Sequence, residues 1–255
     1  MTDTDATLPA PLIERVRGIE VEASLLVCCD FDGTLAPIVT RPEDARPLTG
    51  IPPLLEQLAA ADHTTVAVIS GRSLADLHTL SGLSAPIVLV GSHGAEFEAG
   101  FVEELTTGQQ QLFARLDTTL TELAATAPGV QLEHKPASIA VHVRQASRPD
   151  ANRVMAELWE GPVSWPGIHA TAGKEVLELA VLKVDKGGAV SHLRDSAAAD
   201  VAIFVGDDVT DENAFRVLRR EDVGVKVGDG ETAAEYRIPS VSAVRSLLAL
   251  LAAVR

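Results

Sequence analysis

Short apolar runs alternate with segments of helical periodicity in the first part of the chain. The apolar runs are rich in Val, Ile and Leu and end in small or polar residues, which predicts buried strands. Strands are expected at 25–29, 64–69 and 86–90, and helices at 12–19, 54–61 and 74–80, the last with Ser73 as its N-cap. Strand, helix, strand, helix, strand in this order predicts right-handed crossovers and a parallel sheet.

The pattern changes after about Phe101, where a long amphipathic helix is followed by runs in which polar and apolar residues alternate. Helices are expected at 103–125 and 150–159, and strands at 130–133, 138–144, 168–171 and 174–179. Strands with a single apolar face predict an antiparallel sheet that is covered on one side. We therefore predict an α+β domain at 104–179 that is inserted into the first domain.

The first pattern resumes at Lys186. Helices are expected at 187–194, 210–218 and 241–254, and strands at 201–205 and 223–227. The predicted fold class is therefore α/β. Residues 1–103 and 180–255 form a Rossmann-like core with a parallel sheet, and this core carries the inserted α+β cap domain.

The composition is that of an acidic globular protein. The net charge of −15 over 255 residues disfavours nucleic acid and anionic membranes as partners. No apolar run approaches the ~20 residues that cross a bilayer, and the N-terminus lacks the basic region of a signal peptide. Cys28 and Cys29 are adjacent in a predicted strand, so their side chains point to opposite faces and are interpreted as buried free thiols. We expect a cytoplasmic protein that acts on a small molecule; the oligomeric state stays open, with a monomer favoured.

Polar side chains follow the predicted strands of the first domain or begin its helices. They are Asp30, Asp32, Ser70, Lys186, Asp207, Asp208 and Asp211. Because the carboxyl ends of parallel strands share one edge of a sheet, we expect these side chains to converge. Carboxylates at this density require a divalent cation, and Mg²⁺ suits oxygen ligands and phosphate substrates. Together with a hydroxyl and an ammonium group, they fit phosphoryl transfer.

Each of these residues also has a purely structural interpretation. Asp32 with Gly33 is ordinary turn chemistry, Ser70 could cap a helix, and Lys186 could be a solvated surface lysine. Asp211 could begin a helix, where its charge interacts favourably with the helix dipole. Their shared position after successive strands favours the chemical interpretation for the set as a whole.

The chain resembles the haloacid-dehalogenase-like (HAD) phosphatase superfamily in its motifs Asp-Phe-Asp-Gly-Thr-Leu at 30–35, Ser70, Lys186 and Gly-Asp-Asp-x-x-Asp at 206–211. This resemblance implies that Asp30 attacks phosphorus and forms an aspartyl-phosphate, and that Asp32 acts as general acid and base. It implies that Ser70 binds a phosphate oxygen and that Lys186 neutralises charge and orients Asp30. The implied Mg²⁺ ligands are Asp30, Asp32 (through its backbone carbonyl) and Asp207, with Asp208 and Asp211 acting directly or through water.

The segments 30–38, 91–96 and 206–212 are similar to those of the trehalose-6-phosphate phosphatases, which carry a C2-type cap. The similarity implies sugar binding by the cap, where Glu133, Lys135, Arg144 and Glu178 occupy the matching positions. Gly71, Arg72 and His93 are the further candidates for substrate binding. Glu133 and Lys135 share one face of a strand, and ordinary surface ion pairs are the alternative interpretation. Leu-Ala-Val follows Glu178, where relatives commonly have Arg-Pro.

The implied function is Mg²⁺-dependent hydrolysis of trehalose 6-phosphate to trehalose and phosphate. Other functions stay open: a phosphatase for sucrose phosphate, mannosyl-phosphoglycerate or a monosaccharide phosphate, a phosphomutase, or a non-catalytic partner of a sugar-phosphate synthase. The presence of Asp30, Asp32 and Asp207 argues against the non-catalytic alternative. His93, His134 and His142 match no zinc-binding spacing, so we interpret them as structural residues or residues at the rim of the site.

Overall fold

The computed structural model describes residues 8–97, 100–101, 105–135, 137–182 and 184–255. The chain divides into two compact units, one formed by 1–102 with 184–255 and the other by 103–183. The predicted boundary after residue 103 lies outside the described residues, and the roles of the units as catalytic core and cap stay predictions. No helix in the described ranges has both the length and the apolar character needed to cross a membrane.

The described helices are α1 (Ala10–Arg17), α2 (Ile51–Ala59), α3 (Leu74–Ser81), α4 (Thr107–Ala125), α5 (Arg148–Glu160), α6 (Lys186–Ala197), α7 (Glu212–Val217) and α8 (Val241–Val254). The described strands are β1 (Leu25–Cys29), β2 (Thr64–Ile69), β3 (Val88–Gly91), β4 (Glu96–Phe97), β5 (Gly100–Phe101), β6 (Gln131–Lys135), β7 (Ser138–His142), β8 (His169–Gly173), β9 (Val176–Ala180), β10 (Val201–Gly206), β11 (Val223–Val227) and β12 (Tyr236–Ile238). Ser73 accepts a hydrogen bond from the backbone N–H of Asp76, which confirms it as the N-cap of α3.

The first unit contains one sheet with the strand order β12-β11-β10-β1-β2-β3-β4-β5. The strands from β12 to β3 in this order pair in parallel, and β4 and β5 extend the sheet in antiparallel fashion. From β1 the chain adds β2 and β3 on one side, and β10 to β12 lie on the other. The strand order therefore reverses between β1 and β10, which is where ligands bind in open α/β sheets. The predicted α/β class is confirmed.

Helices cover both faces of this sheet, and β1 is buried on both. Leu25, Val27 and Cys29 pack in the cluster that includes apolar residues of α1, α2, α3 and α8. Leu26 and Cys28 point to the opposite face and pack with residues of α6 and α7. Both thiols are free and buried, as predicted. Burial on two faces explains why the strand is continuously apolar up to Asp30.

The second unit contains an antiparallel sheet with the order β6-β7-β9-β8. Helix α4 packs against β6 and β7. Leu177 and Leu179 of β9 are fully buried, whereas Glu178 between them points to the opposite face. This alternation confirms the prediction of a strand with a single apolar face. The opposite face of the sheet carries polar side chains.

Three short strands were not predicted, and the boundaries of most other elements differ from the sequence prediction by one to four residues. Strands β4, β5 and β12 were not predicted, because two or three residues are too few to show a period of two. Helix α2 begins at Ile51 rather than at 54, since Pro52 and Pro53 occupy the first turn, where proline is tolerated. The predicted helix at 210–218 is a 3₁₀ turn at 209–211 followed by α7.

Candidate active site

The carboxyl ends of β1, β2 and β10 bring Asp30, Ser70 and Asp207 to one edge of the sheet. In the strand register, Cys29 lies opposite both Val205 and Val68. The backbone N–H of Asp30 donates to the Val205 carbonyl at 2.9 Å, so the β1–β10 ladder continues as far as the first aspartate. Asp30, Ser70 and Asp207, which were predicted to converge, therefore lie side by side at this edge of the sheet.

Lys186 is the first residue of α6, and its ammonium group is buried between two carboxylates. Its Nζ donates to Asp30 Oδ1 at 2.5 Å and to Asp211 Oδ1 at 2.6 Å. Burial raises the pKa of Asp30, and the charge of Lys186 opposes that rise. Burial alone would lower the pKa of Lys186, but the two carboxylates reverse this effect and its pKa is raised overall. Lys186 is thus a buried charge partner of Asp30 rather than a solvated lysine.

Asp30, Asp207 and Asp211 offer carboxylate oxygens that all lie within 4.8 Å of one another. Burial, together with the charges of Asp211 and Asp208, raises the pKa of Asp207 from 3.8 to about 6. Among the described residues, none donates a hydrogen bond to the buried Oδ1 of Asp207. One ammonium cannot neutralise three carboxylates, whereas a divalent cation with oxygen ligands would. The donor set and the unpartnered oxygen fit such a cation.

Two glycines allow these carboxylates to approach the backbone. Gly33 has a φ of +85°, and a Cβ atom added there would lie 2.0 Å from Asp207 Oδ2. A Cβ atom added at Gly206 would lie 2.4 Å from the Asp211 carboxyl carbon. Both distances are far below van der Waals contact, so the observed positions of the two carboxylates require glycine at these positions.

Asp211 organises the loop after β10, and the side chain of Asp208 caps the 3₁₀ turn at 209–211. The fully buried carboxylate of Asp211 accepts hydrogen bonds from the backbone N–H groups of Asp207 and Asp208, both at 2.9 Å. Asp208 is exposed, and its carboxylate accepts from the backbone N–H of Val209. Asp211 therefore holds the loop in shape and contacts Lys186, while the carboxylate of Asp208 lies outside the group of three.

Asp32 is held by Arg72 rather than by the acidic cluster. Arg72 donates from Nε to Asp32 Oδ2 at 2.6 Å and from Nη2 to Asp32 Oδ1 at 2.7 Å. The guanidinium carbon of Arg72 also lies 5.7 Å from the ring centroid of Phe31. The structure thus joins the predicted acid–base residue to one of the predicted substrate-binding residues.

Ser70, Gly71 and His93 form one compact corner beside this ion pair. Ser70 is buried, and its Oγ accepts a hydrogen bond from the backbone N–H of Arg72 at 3.2 Å. The carbonyl of Ser70 accepts from the backbone N–H of His93 at 2.9 Å. A Cβ atom added at Gly71 would lie 2.5 Å from Cε1 of His93, so the imidazole lies directly on the glycine. The three residues therefore have fixed relative positions.

Glu178 is the centre of a polar cluster in the second unit. It accepts from Lys135 Nζ at 2.9 Å and from Ser138 Oγ at 2.6 Å. Ala140 lies opposite both Glu133 and Glu178 in the register, so these two glutamates share one face of the sheet. The strand predicted at 174–179 is β9 (Val176–Ala180), so Glu178 lies at the middle of the strand.

The other predicted residues of this unit form half-exposed or exposed pairs. His142 Nε2 lies 3.0 Å from Glu133 Oε2, and Arg144 Nε lies 3.5 Å from Glu175 Oε2. His134 pairs with Asp117 at the surface. Exposed ion pairs of this kind contribute little to stability.

Sequence reasoning missed Lys226 and Glu96. Lys226 is buried in β11, and its Nζ donates to the backbone carbonyl of Asp207. Glu96 accepts hydrogen bonds from Ser92 Oγ and from the backbone N–H of Leu74, which fixes the loop that carries His93. Lys226 could have been recognised, because it is the one charged residue in the apolar run at 223–227. For Glu96, only its position in the similar segment at 91–96 pointed to a role.

Comparison with known proteins identifies one family. The family described as trehalose-phosphatase matches residues 28–243. The trehalose-phosphate phosphatase of Mycobacterium ulcerans is 36% identical over 241 residues, which cover 88% of this chain and 60% of that relative. The chain thus spans about 60% of the length of this curated relative.

Solved structures agree in fold. The C-terminal domain of the Candida albicans trehalose-6-phosphate phosphatase superposes with a TM-score of 0.74 at 24% identity, covering 98% of this chain and 99% of that domain. A trehalose-6-phosphate phosphatase related protein gives a TM-score of 0.71 at 26% identity, covering 89% of this chain and 97% of that one.

Proposed function

This chain belongs to the trehalose-phosphatase family, and from that premise we propose that it hydrolyses trehalose 6-phosphate to trehalose and inorganic phosphate. One observation carries the proposal. The carboxylate of Asp30 is buried beside Lys186, within a cluster of acidic oxygens at the point where the strand order reverses. That arrangement supplies a nucleophile and neutralises charge where a phosphoryl group would bind.

In the proposed first step, one oxygen of Asp30 attacks phosphorus in line with the departing sugar oxygen, and the P–O bond to the sugar breaks. Lys186 contacts Oδ1 of Asp30, so it fixes the orientation of the carboxylate and offsets the charge of the phosphoryl group. The hydroxyl of Ser70 donates to a phosphoryl oxygen. The product of this step is an aspartyl-phosphate.

Asp32 is the proposed general acid and base. A sugar alkoxide is a poor leaving group, so proton donation from Asp32 to the sugar oxygen assists its departure. The same carboxylate then accepts a proton from the water that hydrolyses the aspartyl-phosphate. The position of Asp32, two residues after the nucleophile and on the same loop, supports this role.

We assign the acidic cluster to a divalent cation and expect Mg²⁺. Asp30, Asp207 and Asp211 would hold it, and the backbone carbonyl of Asp32 and the carboxylate of Asp208 are further candidates. When bound, Mg²⁺ neutralises the negative charge of the carboxylates and of the phosphoryl oxygens. The unpartnered Oδ1 of Asp207 supports the assignment.

We further propose that the polar face of the second unit selects the sugar. Glu178, Lys135 and Ser138 combine acceptors and donors within hydrogen-bonding distance of one another, which suits a neutral ligand rich in hydroxyl groups. Glu133 and Arg144 remain candidates for the same role, and His93 of the first unit remains a candidate for substrate binding. We retain the cytoplasm as the expected compartment, which the two free thiols support.

The testing experiment compares phosphate release from trehalose 6-phosphate, sucrose phosphate, mannosyl-phosphoglycerate and glucose 6-phosphate, each with Mg²⁺ and no bisphosphate. We expect the highest kcat/KM for trehalose 6-phosphate. Equal rates on all four substrates would contradict the assignment of trehalose 6-phosphate. The protein would then be a sugar phosphatase without that preference. A requirement for an activating bisphosphate would favour a phosphomutase, and a complete lack of turnover would favour the non-catalytic alternative.

A further inference from the structure

Both carboxylate oxygens of Asp32 are occupied by one side chain, that of Arg72. The two N···O distances, 2.6 and 2.7 Å, are short and nearly equal. Such a paired contact fixes the plane of a carboxylate as well as its position, which a single hydrogen bond does not. The orientation of Asp32 is therefore set by Arg72.

Arg72 is itself held from several sides. Its backbone N–H donates to Ser70 Oγ at 3.2 Å, and its carbonyl accepts from the backbone N–H of Ser92 at 2.7 Å. Its guanidinium group lies over the ring of Phe31, which is fully buried. The side chain of Arg72 is only 17% exposed, so this guanidinium is packed in place.

We propose that Arg72 is a positioning residue that acts through Asp32, holding its carboxylate in the orientation from which it exchanges a proton with the leaving sugar oxygen. This inference rests on the proposed function, because it assumes that Asp32 is the acid–base residue. It departs from the sequence prediction, in which Arg72 binds the substrate itself. A lysine is a poor replacement for the arginine, since its single ammonium group lacks the planar pair of N–H donors that matches the two carboxylate oxygens.

Arg72 could position Asp32 or bind the phosphate of the substrate. These two roles predict that the loss of activity in an Arg72 variant depends differently on the leaving group. Sugar release needs a proton from Asp32, whereas p-nitrophenyl phosphate loses a stable phenolate without one. If Arg72 acts through Asp32, Arg72→Lys lowers kcat/KM for the preferred sugar phosphate by about 10- to 100-fold. The same variant changes kcat/KM for p-nitrophenyl phosphate by less than about threefold, because phosphate binding and attack by Asp30 are intact.

Three variants complete the experiment. Asp32→Asn should show the same selective loss, and Arg72→Lys should add little to it in the double variant, because both changes affect one carboxylate. Arg41→Lys is the matched control, since Arg41 makes the same two-oxygen contact with Asp44 at the surface, at 2.8 and 2.9 Å. We expect Arg41→Lys to leave both activities unchanged. Thermal melting of each variant confirms that it is folded.

Equal losses on both substrates would overturn the proposal and assign Arg72 to phosphate binding. Additive losses in the double variant, or a gain in sugar phosphate turnover on Arg72→Lys, would also overturn it. Failure of the proposed function looks different: in that case Asp32→Asn itself shows no selectivity between the two leaving groups. If Arg72→Lys does not fold, Arg72→Gln replaces it. Its losses of kcat/KM on the two substrates are then compared with those of Asp32→Asn and decide between the same outcomes.

Discussion

Among the three carboxylates of the site, those of Asp30 and Asp211 contact an ammonium group directly, whereas Lys226 reaches Asp207 through its backbone carbonyl. Lys186 contacts Asp30 and Asp211, so Asp207 carries the least compensated charge. Its raised pKa, about 6, expresses the cost of ionising it beside Asp211 and Asp208 in a half-buried position. The cation-free protein is therefore strained electrostatically, and the proposed divalent cation would relieve this strain.

Substitution of Asp207 by Asn should stabilise the cation-free protein. Between pH 3.8 and about 6 the folded state retains a proton on Asp207 that the unfolded chain has released, so stability falls as pH rises through this window. After allowance for solvent screening, we expect Asp207→Asn to raise the free energy of unfolding by about 1–2 kcal/mol above this window. Urea denaturation without divalent metal, at a series of pH values, measures the difference.

The advantage of the Asn variant should shrink as pH falls from about 6 to 3.8 and should vanish below 3.8, where Asp207 is protonated in both states. A constant difference across the pH series would show that the charge of Asp207 is not its cause. Loss of stability in the variant at neutral pH would contradict the electrostatic account of this carboxylate.

The sequence predicted which residue types form the site but not how they pair. Asp30, Lys186 and Asp207 were found because each lies at a strand or helix end, and such positions can be recognised by periodicity. The pairing of Asp32 with Arg72 joins residues 40 positions apart, and the side-chain directions that permit it depend on tertiary packing. Nothing in local sequence encodes those directions.

The loop after β1 needs Gly33 because the loop after β10 passes against it. We expect Gly33→Ala to weaken Mg²⁺ binding by about 10- to 100-fold, because the new methyl group displaces the carboxylate of Asp207. Calorimetric titration with Mg²⁺ measures the affinity, and urea denaturation measures the accompanying loss of stability.

Gly82 provides the matched control for this substitution. It ends α3 with a φ of +65°, and a Cβ atom there meets no described atom within 4 Å. Gly82→Ala should therefore lower stability by about 1 kcal/mol through backbone strain alone and leave Mg²⁺ affinity unchanged. Equal Mg²⁺ affinities in the two alanine variants would contradict the proposed contact between the loops.

The polar face of the β6-β7-β9-β8 sheet makes a separate prediction about the sugar. Glu178→Gln removes the charge that Lys135 and Ser138 surround, so we expect KM for the sugar phosphate to rise about 10-fold or more. KM for p-nitrophenyl phosphate, which lacks the sugar, should not change. Glu157→Gln is the control, because Glu157 pairs with Arg153 on α5, and neither residue is a candidate for sugar binding. A similar rise in KM for both substrates would contradict a role in sugar binding and would indicate that Glu178 stabilises the fold instead.

Most helices and strands of both units were predicted from the sequence, but some of the strand pairings were not. The inserted sheet was predicted because its strands alternate polar and apolar residues, whereas β1 and β10 of the first unit are continuously apolar, and this difference reflects burial on one face or on two. The antiparallel extension by β4 and β5 was missed, since its register depends on pairing with β3 rather than on its own composition.

The most direct test of the account is a search for phosphate bonded to Asp30 during turnover. The protein is mixed with trehalose 6-phosphate and Mg²⁺, quenched in acid within one turnover, digested, and analysed by peptide mass spectrometry. We expect the peptide that contains Asp30 to carry one phosphoryl group, and we expect the modification to be lost in Asp30→Asn together with phosphate release. Phosphate release at full rate by Asp30→Asn, or a phosphoryl group on a different residue, would contradict the assignment of Asp30 as the nucleophile.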